Sequence, residues 1–455
     1  MRTLLKLIVL WVAVLFACHL LLWLIQSPGH TTPVFAVGLI LAVLVVLVYR
    51  RSRYFPERLF FSTFILLLFA AHLFASLFIA EVAIPLLPYF DSDIIDSVSL
   101  AQQIVLCGLI ATAVSYWFLS KRPSVIWRSK QIVSFLSAEP ETIYARARLV
   151  VIGGSLFIVG ALIVTDYFPL LQENPLLARV QFNTFSGHAA LFSLLSKIID
   201  VVSVSAPALV VGRKISLGSA LLFGLALLSV ALTASRECFL FMLVFAPACL
   251  LVRQKRNFLI LLRLAPIAFL PFFLTDAYLK YGNQFEDHPA IQLAATVLPE
   301  VRDLGWTLDL WDGTRLNGRT YVGDLIPLPS AVVSFKGSST TSSVTKQIVG
   351  IPVDAPHGGL RITGYGQAWL NFGLPGVVVF GVLLGWLVSV LEAVLAIASE
   401  LSPIHFYGAT AMALTPVLYL YLSGTAAIWD QVIMPVLFIW VLFRSPGRLR
   451  GYRNA

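Results

Sequence analysis

Arginines at the edges of apolar segments are the residues best suited to chemistry in this chain. A guanidinium fork matches phosphate oxygens through two parallel hydrogen bonds. Arg236 sits in Thr233-Ala234-Ser235-Arg236-Glu237-Cys238, with almost no loop between two apolar runs. It reads either as a phosphate ligand or as a turn with Glu237 that caps two helices or snorkels to headgroups. Arg179, within Asn174-Pro175-Leu176-Leu177-Ala178-Arg179, is a second lone cation. For it, a ligand role and a plain surface charge both stand. A third group, Pro356-His357-Gly358-Gly359-Leu360-Arg361, leads through a glycine-rich stretch to Gly376. Glycines permit close backbone approach to a ligand. An imidazole such as that of His357 suits general-base work near neutral pH, although a solvated loop histidine is the plainer reading.

Other charges lie inside apolar runs. Lys197 and Asp200 are three residues apart and share a helix face. Charges in lipid-facing segments point to function, and an internal ion pair that positions helices explains these two equally well. The same holds for Arg263, Glu392 and Asp430. Trp306, Trp311 and Tyr321 occupy a polar stretch, where they stack on sugar faces or pack its interior. Cys18, Cys107, Cys238 and Cys249 lie in or beside apolar runs, without metal-ligand spacing. The chain has no P-loop, no G-x-G-x-x-G opening a helix and no H-E-x-x-H. ATP-driven work and zinc hydrolysis are therefore not expected, and neither a cofactor nor a metal is.

The elements that must position these residues are membrane helices. Of 455 residues, 58% are hydrophobic and 12% charged, about half the charge of a soluble domain. The apolar runs are continuous, not alternating, and approach 20 residues, so helices are predicted and not a barrel. The predicted spans are 4–25, 33–49, 58–80, 100–119, 149–168, 190–211, 215–233, 237–252, 257–276, 367–398, 405–425 and 428–444. The first resembles a signal sequence, but its apolar core is too long and no small-residue cleavage site follows it, so it is expected to remain.

Net charge is +9, and the basic residues cluster in alternate loops. Arg50, Arg51 and Arg53 follow the second span, Lys121 to Arg148 the fourth, Arg213 and Lys214 the sixth, and Arg253 to Arg256 the eighth. The positive-inside rule then predicts cytoplasmic termini and a basic cytoplasmic tail at 445–455. Nucleic-acid binding is not expected. Residues 1–275 carry spans one to nine with short loops. Within them, 121–148 mixes basic and apolar residues, as an interfacial helix or a plain connector would. Residues 276–366 form a large extracytoplasmic loop whose tryptophans and prolines suggest a folded cap. Residues 367–444 carry spans ten to twelve. Gly381 and Gly385 have the spacing of close helix packing.

These features together resemble the O-antigen (Wzy-type) oligosaccharide-repeat polymerases, and are closest to those of enterobacterial common antigen. The topology carries the likeness over most of the chain: about twelve spans with a large loop between spans nine and ten. Local matches are Thr233-Ala234-Ser235-Arg236, Leu316-Asn317-Gly318-Arg319-Thr320-Tyr321 followed by Ile326-Pro327-Leu328-Pro329, and His357-Gly358-Gly359-Leu360 leading to Asn371-Phe372-Gly373-Leu374-Pro375-Gly376. The family places a glycine eleven residues after an arginine. Here Gly373 follows Arg361 one residue late, and Arg179 has no such glycine.

The resemblance implies an all-α polytopic membrane glycosyltransferase of the GT-C type in the bacterial inner membrane. Its substrates would be oligosaccharide repeats linked to undecaprenyl diphosphate, and a chain-length regulator would be its protein partner. Arg236, Arg179 and Arg319 would hold the diphosphate in place of a metal. Arg361, which also suits a diphosphate, and His357 would be catalytic, and Trp306, Trp311 and Tyr321 would contact sugar. Three rivals share features with it. An O-antigen ligase has this topology. A wall polymerase of the RodA kind needs an acidic loop residue, and Asp309, Asp312 and Asp324 supply candidates. A transporter suits Lys197 and Asp200.

Overall fold

The computed structural model describes residues 94–120, 122–172, 175–180, 182, 189–211, 215–235, 238–239, 241–245, 300–326, 335–352, 360–426 and 428–445. Predicted spans one to three and nine, and both termini, lie outside them. The described residues are mostly helical, and no strand occurs among them. In chain order the main helices are α1 (Ile94–Leu119), α2 (Pro123–Phe135), α3 (Pro140–Val164), α4 (Pro175–Val180), α5 (Ala189–Ser205), α6 (Leu217–Leu232), α7 (Glu300–Asp309), α8 (Arg319–Leu325), α9 (Lys336–Ser339), α10 (Thr341–Ile348), α11 (Thr363–Ala398), α12 (Pro403–Ser423) and α13 (Met434–Phe443). Among the described residues, three stretches are long and apolar enough to cross a membrane: Leu100–Leu119 within α1, then α3 and α11. Leu217–Leu232 and Gln431–Phe443 are shorter apolar helices.

The chain divides into two compact units, each assembled from separate stretches. One comprises Met1–Val125, Asn283–Ala393 and Val417–Ile428. In it α11 packs on α1 through glycines. A Cβ on Gly381 would come 2.7 Å from the Gly108 carbonyl oxygen, and one on Gly385 would come 2.3 Å from that of Thr112. The small-residue spacing thus marks a close approach of backbones. Tyr365 lies over Gly108, and its hydroxyl meets Thr112 Oγ1 at 2.7 Å. Tyr116 donates its hydroxyl proton to the buried Glu392 carboxylate, so this acid has a partner on α1. Helix α7 packs on α1 where Gly305 meets Val98.

Helix α11 is kinked. Gly373 adopts φ 66° and ψ −151°, a conformation essentially confined to glycine. Pro375 follows and has no N–H to donate. In a straight helix the carbonyls of Leu370 and Asn371 would accept from residues 374 and 375. Here the preceding polar segment takes over. Leu316 N–H donates to Leu370 O at 3.1 Å and Asn317 N–H to Asn371 O at 3.2 Å. Gly318 N–H donates to Asn371 Oδ1 at 2.9 Å. The kink opens acceptors, and the segment docks on them.

The other unit comprises Ile126–Gly282, Val394–Pro416 and Trp429–Ala455. Its centre is α3, with Gly154 against Val202 of α5 and Ser155 accepting from Ser229 of α6 at 3.2 Å. Arg146 Nη1 donates to the carbonyls of Val441, Leu442 and Arg444 at 2.9, 3.1 and 2.7 Å. It satisfies the end of α13, where a cation also suits the helix dipole. Cys238 donates through Sγ to Asp200 at 3.3 Å, one of the two charged residues singled out on α5.

Candidate functional site

The segment seated on the α11 kink gathers arginines and aromatic rings. Its turn is local in origin: Asp312 Oδ1 accepts from Thr314 N–H at 2.9 Å, Gly313 has φ 81°, and Trp311 Nε1 donates to Thr314 O at 3.2 Å. The turn delivers Arg315 between two indoles. Its guanidinium carbon lies 5.0 Å from the Trp311 ring centroid and 4.8 Å from that of Trp369. Nη1 donates to Trp369 O at 2.6 Å. Gly373 leaves the space this needs, since a Cβ there would stand 3.3 Å from the guanidinium carbon. Stacked rings cover the faces of a guanidinium, while its N–H donors stay in plane and point outward at the edge. Arg315 is exposed, and no carboxylate among the described residues pairs with it. The arrangement is a fixed fork suited to an oxyanion.

Helix α8 begins at Gly318, whose φ of 86° reverses the chain. Arg319 is exposed, and its Nη2 donates to Ser338 O at 2.6 Å. Tyr321 stacks on Phe372 at 6.1 Å, the planes 8° apart. Burial, and then the neighbouring Asp324 carboxylate, raise the Tyr321 pKa, so its hydroxyl stays protonated. The expected residues Trp311 and Tyr321 thus come to the kink with Arg315, Trp369 and Phe372, while the Arg319 guanidinium reaches Ser338 of α9.

Beneath them lies a buried polar hub. Asp324 is 4% exposed. Its Oδ1 accepts from Thr341 N–H at 3.0 Å. Its Oδ2 accepts from Thr341 Oγ1 at 2.6 Å, Thr425 Oγ1 at 2.9 Å and Gln367 Nε2 at 3.0 Å. Gln367 Oε1 accepts from Thr425 N–H at 2.8 Å, and Asn371 Nδ2 donates to Thr320 Oγ1 at 2.7 Å. Burial raises the Asp324 pKa, while bonds from Thr341, Thr425 and Gln367 pull it back. With its oxygens enclosed in this way, Asp324 ties α8, α10, α11 and the end of α12 together. The other two candidate loop acids do local work: Asp309 accepts from Ser97 at 3.0 Å, and Asp312 holds the turn before Arg315.

Trp306 and Arg361 fall elsewhere in the same unit. Trp306 is half-buried on α7. Arg361 is exposed, and its backbone N–H donates to Asp303 Oδ2 at 3.3 Å. Asp303 also pairs with Arg302 at 2.8 Å. Thr363, at the start of α11, has φ 62°, unusual for a β-branched residue, and accepts from Gly366 N–H at 3.0 Å. Arg179 is in the last turn of α4, in the other unit, half-buried. Arg236, His357 and Arg263 lie outside the described residues, as does the side chain of Asp430. No group of three or more metal-ligating side chains occurs among the described residues.

Arg315 was missed in the sequence because nothing local marks it. Its partner Trp369 is 54 residues away. The available signal was Gly373-Leu374-Pro375, which announces a helix break whose open carbonyls need donors.

Together these features define a protein that is helical in its described residues, among which three helices are able to cross a membrane and one of these carries an arginine- and aromatic-bearing polar segment. Comparison with known proteins adds no narrower identity: no family model matches the chain, and neither a curated protein nor a solved structure does.

Proposed function

We propose that this chain is a membrane glycosyltransferase that polymerises undecaprenyl-diphosphate-linked oligosaccharide repeats into a surface polysaccharide, O-antigen or a related one. It works without a metal at the outer side of the bacterial inner membrane. The observation that supports the reading is the Arg315 fork, held between Trp311 and Trp369 on a membrane-length helix, with Arg319 and Tyr321 beside it on α8. Cations where an apolar helix meets a polar segment suit a diphosphate on a lipid tail, and half-buried aromatic rings suit sugar.

In this reading the growing glycan is the donor. An acceptor hydroxyl on the next repeat attacks its anomeric carbon, and the bond from that carbon to the diphosphate oxygen breaks. His357 takes the hydroxyl proton. Arg315 and Arg319 neutralise the departing undecaprenyl diphosphate, as a divalent ion would elsewhere. Trp306, Trp311 and Tyr321 hold the sugars, and a chain-length regulator sets when the product leaves.

The test is reconstitution of the full chain with lipid-linked repeats, reading products as a ladder on a gel. A ladder that Arg315→Ala loses while remaining folded is the expected result. Transfer only when lipid A core is supplied would instead mark an O-antigen ligase. Neither product would overturn the enzyme reading and favour a transporter.

A further inference from the structure

Helix α8 is inside out. A helix of a soluble cap puts apolar residues inward and polar residues toward water. In α8 the inward residues are Thr320 and Asp324, 1% and 4% exposed, which join the polar hub with Gln367. Gly323 packs between them against Ser339. The outward residues are Val322 and Leu325, about half exposed, with Arg319 one turn before Val322. Such a face in water loses the burial of two aliphatic side chains for nothing.

The apolar surface does not end at α8. Phe372 covers Gly318 and stacks on Tyr321, and it is itself half exposed. Beyond the kink, Leu374, Val378 and Val382 continue along one side of α11 at steps of four, all exposed. That side belongs to a helix long and apolar enough to cross a membrane. At 1.5 Å per residue, α11 is about 54 Å long and its part after Gly373 about 37 Å. A hydrocarbon core is about 30 Å thick, so the part after the kink already spans it. The kink, Phe372 and the helix stacked on them then fall at the boundary where acyl chains meet headgroups.

We infer that α8 is an interfacial helix, with Val322 and Leu325 in the acyl region of the leaflet where α11 begins and Arg319 at headgroup level. The occupant of this face is bilayer lipid, because the face is continuous with the lipid-facing side of α11. The segment is thus no free-standing cap over the membrane but is partly sunk into it. This stands apart from the polymerase reading, since it needs no substrate.

The experiment places a photoreactive benzoylphenylalanine at Val322, Leu325, Val379 or Asp312 of the full chain in phospholipid nanodiscs without substrate. Mass spectrometry of the irradiated protein then counts lipid adducts. Val379 is an exposed position on α11, and Asp312 is exposed in the polar turn. Thermal unfolding confirms that each variant is folded. Positions 322 and 325 should give phospholipid adducts at the level of Val379 and about tenfold above Asp312, as membrane burial of an apolar face demands. Adduct levels at 322 and 325 no higher than at Asp312 would overturn the inference. So would crosslinks from those positions to a second copy or to another part of the chain.

Discussion

Gln367 and Asp324 meet in the interior 43 residues apart in sequence, with Gln367 Nε2 3.0 Å from Asp324 Oδ2. This pair couples the kinked, membrane-length helix α11 to the helix that carries Arg319 and Tyr321. The carboxylate is enclosed by Thr341 and Thr425 as well, so among the described residues it is held by hydrogen bonds and not by a cation.

The protonation of Asp324 should therefore register in stability. Its pKa is raised above the ordinary 3.8, chiefly by burial. A raised acid binds its proton more tightly folded than unfolded, so its contribution is full below 3.8 and is lost as pH climbs through the folded value. Asp324→Asn removes that titration. It loses acceptor capacity toward Thr341 and Thr425 and should be less stable at pH 4. The deficit should shrink as pH rises above 4. Thermal unfolding of both proteins in nanodiscs across this range measures it, and a gap that widens with pH would contradict the assignment.

Gly373 tests the kink. At φ 66° and ψ −151°, any side chain is strained, and Gly373→Ala should cost about 1–3 kcal/mol. The new methyl also presses on the Arg315 guanidinium, so the Trp311–Arg315–Trp369 stack should loosen. Thermal unfolding reads the first effect. Tryptophan fluorescence of the folded variant, compared with Arg315→Ala, reads the second.

Gly385 tests the contact of α1 with α11. A Cβ there already meets the Thr112 carbonyl oxygen at 2.3 Å, and this backbone atom has no rotamer to escape by. Gly385→Leu should destabilise the protein by about 1–3 kcal/mol or more. Val378→Leu, at an exposed position on the same helix, should leave unfolding within about 0.5 kcal/mol of the parent.

Arg315 separates charge from geometry. Lysine keeps the charge but lacks the planar fork that stacks on two rings and bonds the Trp369 carbonyl at once. If Arg315 meets developing charge on the leaving diphosphate, Arg315→Ala should lower kcat roughly 10²-fold with little change in KM, the scale for losing one such donor. Arg315→Lys should recover only a minor part. Steady-state kinetics on lipid-linked repeats decides, and full activity in Arg315→Lys would reduce the residue to a structural cation.

The sequence alone determined the helical secondary structure of the described residues. Continuous apolar runs cannot leave backbone groups unpaired in lipid, so helices follow from composition and run length, and Leu100–Leu119, Pro140–Val164 and Thr363–Ala398 are such helices. The close approach at Gly381 and Gly385 is also local, because it depends on missing side chains, whereas the break at Gly373 interrupts the span expected as one run over 367–398. Trp311, Arg319 and Tyr321 were legible as residues with chemistry to do, but not their surroundings. Only the tertiary structure decided that Arg315 lies between Trp311 and Trp369. It alone set Asp324 among Thr341, Gln367 and Thr425, which are 17, 43 and 101 residues away in sequence. It also turned α8 with its polar side inward. A side chain's partner across such separations is fixed by which backbones pack together, and no local pattern of residues encodes that.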